Sequence, residues 1–387
     1  MKELARITDT FTESVIREMT RICDAVDGYN LSQGFPDFES PAAIKEAAIL
    51  AINEGWNQYP VTFGEPELRE AISKKAKWFN HIDCSPNDMI TVTCGATEAM
   101  IATLKAIINP GDEIIVFEPY YENYGPDGIL SGAKPKYVTL YEPNWTYHYQ
   151  ELEAAFNEKT KAIIINTPNN PTGKVFSQNE LTEIANLCKK WDVYAITDEI
   201  YEHIVFGEDK HISIASLPGM ADRSITINSI SKTYSVTGWR VGWAIASPAI
   251  TQRIRKVHDF LTVGAPTPFQ HAAAEALQFD LSYYEGLQKH YLEARDFMYE
   301  ALTKAGFELS LPKGAYYFFA KYGKLAEKIN AKDDVDFSIK LIERCKVATV
   351  PGSSFFSNRE NAKNYVRFCF CKKWETLKIV KDLLATL

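Results

Sequence analysis

Lys161-Ala162-Ile163-Ile164-Ile165-Asn166-Thr167-Pro168-Asn169-Asn170-Pro171-Thr172-Gly173 joins an unbroken apolar run to a turn of proline, asparagine and glycine. Four consecutive apolar residues leave no polar face, as in a strand covered on both sides. The prolines and glycine stiffen the turn and hold Asn170 in place. Similar runs lie on either side: Met89–Thr93, Glu113–Phe117, Pro135–Leu140, Val193–Thr197, Ser224–Asn228 and Val241–Ala246. Between them, Glu180–Lys190 carries Leu181, Ile184, Ala185, Leu187 and Cys188 at helical spacing. Alternation of this kind implies an α/β fold, with helices around a mostly parallel central sheet.

The last third has a different order. Leu281–Ala305 reads as a long helix closed by Gly306. Short strands follow at Ala315–Ala320, Val347–Val350 and Tyr365–Cys371, with helices near Val335–Arg344 and Lys373–Leu384. This predicts a smaller α+β domain. A chain of 387 residues is long for one core and suits two. The boundary is placed near Phe279: residues 44–279 form the large domain, and residues 1–43 and 280–387 the small one.

Hydrophobic residues make up 46% and charged residues 24%, the balance of a soluble globular protein. The net charge of -8 argues against a broad attraction to nucleic acid or anionic membrane. No stretch has the apolar length of a membrane span, and the N-terminus lacks the apolar core of a signal segment. The seven cysteines are odd in number and scattered, so no disulfide framework is expected and a cytoplasmic location fits. No metal site is expected either: the histidines are dispersed, and Cys369-x-Cys371 is not a metal motif. Runs that bind dinucleotides or ATP are absent.

Candidate chemistry sits after the strands. Ser229-Ile230-Ser231-Lys232 leads into Thr237-Gly238-Trp239-Arg240. Lysine forms a Schiff base when a dry site lowers its pKa; Ser229, Ser231 and Arg240 suit a phosphate. Taken alone, Lys232 reads first as a solvated loop lysine. Asp198 in Thr197-Asp198-Glu199-Ile200-Tyr201 lies where ligands of open α/β sheets bind. It suits a protonated pyridine nitrogen, with Tyr201 on a ring hydroxyl, or equally a helix cap. Gly95-Ala96-Thr97 opens a helix whose N–H groups suit an anion. Arg367, within the alternating run Tyr365–Cys371, suits a carboxylate, or an exposed strand surface.

Together, and in this order, these motifs resemble the class I pyridoxal-phosphate aminotransferases of fold-type I, and within them the kynurenine aminotransferase / glutamine transaminase K group. The resemblance runs from Gln33-Gly34-Phe35-Pro36 through Asn166–Gly173, Thr197-Asp198-Glu199, His211–Met220 and Lys232–Trp243 to Val366-Arg367-Phe368-Cys369-Phe370. It implies the pyridoxal-phosphate-dependent transferase fold and pyridoxal 5'-phosphate as cofactor. Lys232 would carry the cofactor and shuttle protons, with Asp198 on the ring nitrogen, Asn170 and Tyr201 on the ring oxygen, and Tyr121 stacked on the ring. The Ala96 and Thr97 backbone, Ser229, Ser231 and Arg240 would hold the phosphate. Tyr59 would reach it from the other subunit of a homodimer with shared active sites. Gly34, Asn170 and Arg367 would bind the substrate carboxylate.

The sequence departs from the group at its aromatic cage, where Val15 or Ile16 and Thr97 stand in place of tryptophan and tyrosine. The loop Phe260–Pro268 carries no cation for a side-chain carboxylate. The expected substrates are therefore a neutral donor (methionine, glutamine, an aromatic amino acid or kynurenine) and a 2-oxo acid. The alternatives are β-elimination from cysteine S-conjugates or cystathionine on the same fold, aspartate transamination through another arginine such as Arg17, or a binding protein on an inactive fold.

Overall fold

The computed structural model describes residues 2–11, 13–362 and 364–387. Its strands, in chain order, are β1 (Tyr29–Asn30), β2 (Ile90–Thr93), β3 (Glu113–Glu118), β4 (Lys134–Thr139), β5 (Thr160–Asn166), β6 (Tyr194–Asp198), β7 (Ser224–Ser229), β8 (Gly242–Ile245), β9 (Tyr317–Lys321), β10 (Val347–Ala348), β11 (Val350–Pro351) and β12 (Tyr365–Cys369). Strands β2 to β8 form one sheet in the order β2-β8-β7-β6-β5-β3-β4. Neighbours from β7 to β4 run parallel, while β8 is antiparallel to both β7 and β2.

The apolar run of β5 is explained by what covers it. Ile163 and Ile165 pack with Leu181, Ile184 and Cys188 of the helix Gln178–Trp191. On the other face, Ala162 and Ile164 join Met100, Leu104 and Ile107 of the helix Gly95–Ile107. Gln178–Trp191 starts at a capping box: Ser177 accepts from the Glu180 backbone, and the Glu180 carboxylate accepts from Ser177. The chain leaves β3 toward β4, but leaves β5 the other way, toward β6. A crevice therefore opens at the carboxyl ends of these strands.

The remaining strands lie apart from this sheet. Strands β11, β12 and β9 form an antiparallel sheet, and β1 pairs in parallel with β10. Tyr291, Ala294, Met298 and Leu302 of the helix Leu281–Ala305 pack against Phe318, Val366, Phe368 and Phe370. Gly306 ends that helix at φ +105, a conformation glycine adopts without penalty. The helix Val15–Asp24 packs Met19 and Cys23 against Ile342 and Ala348.

Three expectations need correction, the first being that the strand foreseen over Tyr365–Cys371 ends at Cys369. The single strand foreseen over Val347–Val350 is split, because Val347 and Ala348 pair with β1 whereas Val350 pairs with Arg367 of β12. The strand foreseen from Ala315 starts at Tyr317. Ala315 sits at φ +55 and gives its N–H to the Ile204 carbonyl, outside the ladder.

Candidate active site

The carboxyl ends of β3, β5, β6 and β7 open into a cleft of about 740 Å³. Gly34, Ala96, Thr97, Tyr121, Asn170, Asp198, Tyr201, Ser231, Lys232, Arg240 and Arg367, all singled out in the sequence, line it. Two other candidates do not. Ser229, the last residue of β7, is buried behind the wall, where its hydroxyl accepts from the Ser231 N–H at 3.1 Å. Tyr59 is 83% exposed and lies outside the cleft.

Strand pairing places Asp198 beside Asn166. Asn166 donates to the Asp198 carbonyl at 3.0 Å and accepts the Asn170 N–H at 2.7 Å, which ties the rigid turn to β6. The Asp198 carboxylate accepts from Tyr124 Oη at 2.7 Å and from the Ile200 N–H at 3.4 Å. Burial pushes its pKa up to about 6 against these two bonds. Tyr124 was not among the candidates singled out in the sequence. Only its polar tip in the first turn after β3 hinted at more, and its partner lies 74 residues away. Tyr121 stands edge-on to Tyr124, with ring centroids 5.7 Å apart.

Opposite lies Lys232, whose Nζ donates to the Gly34 carbonyl at 2.8 Å. Burial lowers its pKa to about 8; Arg367 and Arg240 add to this, while Cys371 and Asp198 oppose it. An amine in this range passes readily between its charged and neutral forms. Gly34 is needed for a steric reason: a Cβ there would sit 1.9 Å from Tyr317 Oη.

Arg367 is 1% exposed, so it is no surface strand residue. Its Nη1 donates to Asn170 Oδ1 at 2.8 Å and its Nη2 to the Ser32 carbonyl. Its guanidinium carbon lies 4.5 Å from the Tyr317 ring centroid, and Nε has no partner. Tyr317 in turn shares a hydrogen bond of 2.8 Å with Tyr201.

The other end of the cleft is a cradle for an anion. Gly95 opens the Gly95–Ile107 helix at φ +81, and a Cβ on it would lie 2.3 Å from Arg240 Nη2. A Cβ on Gly242 would lie 2.6 Å from the Ala96 nitrogen. These close approaches leave the first-turn N–H groups, the Ser231 side chain and the Arg240 guanidinium around one spot, and the helix dipole adds to their pull on an anion. Arg240 is held there by bonds to the Thr237 and Cys94 carbonyls.

Of the two candidates for the altered cage, Ile16 lines the cleft with Thr97, while Val15 packs on the Met19–Cys23 cluster. Asp127 was not foreseen. It lines the cleft at 8% exposure, its Oδ2 has no partner among the described residues, and burial alone pushes its pKa up to about 7. Glu199, Glu202 and His211 also converge, within 4.8 Å. Their charge is met within the chain, since Lys75 pairs with Glu202 and His211 with Glu199 at 2.8 Å.

A carboxylate, a poised amine, phenol and amide donors and an anion cradle around one cleft suit a phosphorylated pyridine aldehyde, and the free guanidinium edge suits a carboxylate. Residues 26–383 match the family described as aminotransferase class I and II. The chain is 38% identical to an aspartate aminotransferase of Pyrococcus abyssi, with 97% of this chain and 95% of that protein covered. It is 35% identical to kynurenine–oxoglutarate transaminase 3 of Rattus norvegicus, with 99% and 90% covered. A crystal structure from Escherichia coli, reported with a methionine aminotransferase function, superposes with a TM-score of 0.93 at 33% identity over 100% of both chains. The chain thus belongs to the class I and II aminotransferases and is a pyridoxal-phosphate-dependent enzyme that acts on amino and 2-oxo acids.

Proposed function

We propose that the enzyme takes the amino group of a neutral L-amino acid, such as methionine, glutamine, phenylalanine or kynurenine, and delivers it to a 2-oxo acid. One observation carries this reading. Ile16, Thr97, Leu261, Thr262 and Tyr317 contribute to the cleft wall, and no cation other than Arg17, Lys232, Arg240 and Arg367 lines it among the described residues. Lys232, Arg240 and Arg367 are each held elsewhere by protein carbonyls or Asn170, and Arg17 stands at the exposed mouth. An unpaired carboxylate buried against that wall would be costly.

In this reading the cleft residues take the following roles toward the cofactor. Lys232 would be the attachment point, with Asp198 toward the pyridine nitrogen, Asn170 and Tyr201 toward the ring oxygen, and Tyr121 against the ring. The Ala96 and Thr97 N–H groups, Ser231 and Arg240 would hold the phosphate, with Ser229 setting the Ser231 backbone. Bound pyridoxal phosphate supplies an electron sink for the substrate α-carbon. Arg367, steadied by Asn170 and backed by Gly34, clamps the α-carboxylate and so orients the bond to be broken. Lys232 Nζ would take the proton from the α-carbon of the amino donor and, in the second half of the reaction, deliver one to the α-carbon of the acceptor, a task suited to an amine near pKa 8.

The same reading includes a homodimer in which Tyr59 of one subunit reaches the phosphate of the other; the exposure of Tyr59 supports it. It also keeps residues 44–279 as the large domain and residues 1–43 and 280–387 as the small one, supported by the confinement of the seven-stranded sheet to residues 90–245. Seven free cysteines support a cytoplasmic location.

The test is kcat/KM for methionine, glutamine, phenylalanine, kynurenine and aspartate with one 2-oxo acid acceptor. Neutral donors should lead. An aspartate lead of more than about tenfold, equivalent to about 1.4 kcal/mol, refutes the neutral wall. Pyruvate released from cysteine S-conjugates without an acceptor, in place of transamination, would point to β-elimination.

A further inference from the structure

A carboxylate stands close behind the anion cradle. Glu98 lies one turn into the helix Gly95–Ile107, lines the cleft and is 7% exposed. Left alone, a negative charge there would repel a phosphate and compete with it for the positive end of the helix. We propose that the buried pair Glu98–His258 positions the cofactor phosphate: Glu98 fixes the turn that leads into the cradle, and His258 cancels the charge that Glu98 brings. The inference rests on the reading of the cradle as the phosphate site and adds two positioning residues to it.

Glu98 accepts at both oxygens. Oε2 takes the Cys94 N–H at 2.5 Å, directly before Gly95, and Oε1 takes the Thr262 hydroxyl at 2.7 Å. His258 Nδ1 lies 2.6 Å from the same Oε1, and its Nε2 lies 2.7 Å from the Thr62 carbonyl. His258 is fully buried. An ionised carboxylate and a carbonyl can only accept, so both ring nitrogens donate and the ring is an imidazolium. Burial disfavours both charges, yet the bond between them holds the Glu98 pKa below its ordinary value and the His258 pKa above its own. Asp259 on the histidine's own helix also favours the imidazolium, and the Cys94 thiol beside Glu98 is pushed up by burial.

Cys94 is thereby gripped from two sides, its N–H by Glu98 and its carbonyl by Arg240 at 3.4 Å. Arg240 is also the cation of the cradle, so a shift of Cys94 would move both the guanidinium and the N–H groups that follow Gly95. Through Thr62 the pair reaches the segment that carries Tyr59. Thr262 closes the helix Pro248–Leu261, and two residues on, a Cβ on Gly264 would lie 2.6 Å from Pro60 of that same segment. One ion pair therefore joins the helix start, the end of Pro248–Leu261 and the Tyr59 segment, and it presents no net charge to the phosphate.

The full chain, freed of cofactor, is titrated with pyridoxal phosphate and with pyridoxal, which lacks the phosphate, by the visible absorbance of the bound ring. The ratio of the two dissociation constants reads the phosphate site, because contacts to the ring cancel. His258→Gln leaves Glu98 uncompensated and should cut the preference for the phosphorylated form roughly tenfold to a hundredfold, the scale of a bare charge one helical turn away. Adding Glu98→Gln to that variant removes the charge and should restore most of the preference, which a loss of packing alone would not allow. Glu98→Ala frees the Cys94 N–H and should lose about tenfold, whereas Glu98→Gln keeps an acceptor there and should retain most of the preference; these two variants decide the matter if His258→Gln fails to fold. An unchanged ratio in His258→Gln or Glu98→Ala overturns the proposal, as does a double variant no better than His258→Gln. Arg240→Leu tests the cradle itself. No response to it removes the phosphate site and the proposal together, while a response to Arg240→Leu but not to the pair removes the pair's role alone.

Discussion

Asp127 offers a prediction whose size follows from its surroundings. It lies in the helix Tyr124–Leu130, 8% exposed, with Oδ2 lacking any partner among the described residues. Burial raises its pKa from 3.8 to about 7, and no cation opposes the shift. The sign follows directly. Below about pH 4 the carboxyl is protonated in both the folded and the unfolded chain and does not affect their balance. Between about pH 4 and about pH 7 the unfolded chain is ionised while the folded one still holds the proton, so each pH unit costs the fold about 1.4 kcal/mol. Above about pH 7 the penalty is constant at about 4 kcal/mol, an upper value because local relaxation and water reduce it. Asp127→Asn removes the titration at nearly constant shape. The amide adds a pH-independent offset of about 1–3 kcal/mol if it too lacks partners. The slope is therefore the discriminating quantity. In urea unfolding of cofactor-saturated protein, the variant should gain stability relative to wild type by about 2–3 kcal/mol between about pH 5 and about pH 8. A difference that stays flat over this range would mean that Asp127 has a partner in solution, and the argument from its isolation would fail.

Three further outcomes bear on the chemistry. Lys232→Ala should lose nearly all turnover and the yellow colour of the bound cofactor; substantial activity in that variant would displace Lys232 from its central role. Asp198→Asn should slow transamination by roughly a hundredfold or more, as expected for a lost charge facing the ring nitrogen; a loss of only a few-fold would mean that another group keeps that nitrogen protonated. Mixing inactive Lys232→Ala with Tyr59→Phe should form hybrid dimers with one intact site, giving more activity than the mean of the two parents. No gain after subunit exchange would refute a shared site.

The large sheet was legible because its cause is local. The apolar run Ala162–Ile165 announces burial on both faces, and all seven of its strands were located to within a residue. The order of motifs along the chain likewise carried the family, since each is a short stretch with its own chemistry. Where the signal weakened, so did the reading: Val347–Val350 looked like one strand because four residues do not reveal that their two halves pair with different partners. Of the two residues offered for the altered cage, packing against Met19 and Cys23 removed Val15 and left Ile16 facing the cleft.

By itself, the sequence determined the layered α/β class, the strand ends that bear chemistry and the set of candidate side chains, all of which depend on neighbours in the chain. The tertiary structure alone decided how those side chains are held. Tyr124 meets Asp198 across 74 residues, Arg367 meets Asn170 across 197, and Lys232 meets the Gly34 carbonyl across 198. It also decided that Asp127 Oδ2 is buried without a partner among the described residues and that Arg17 lines the cleft from an exposed position. Hydrogen bonds and desolvation act through space, so the pKa of Lys232 and the isolation of Asp127 are properties of the folded chain.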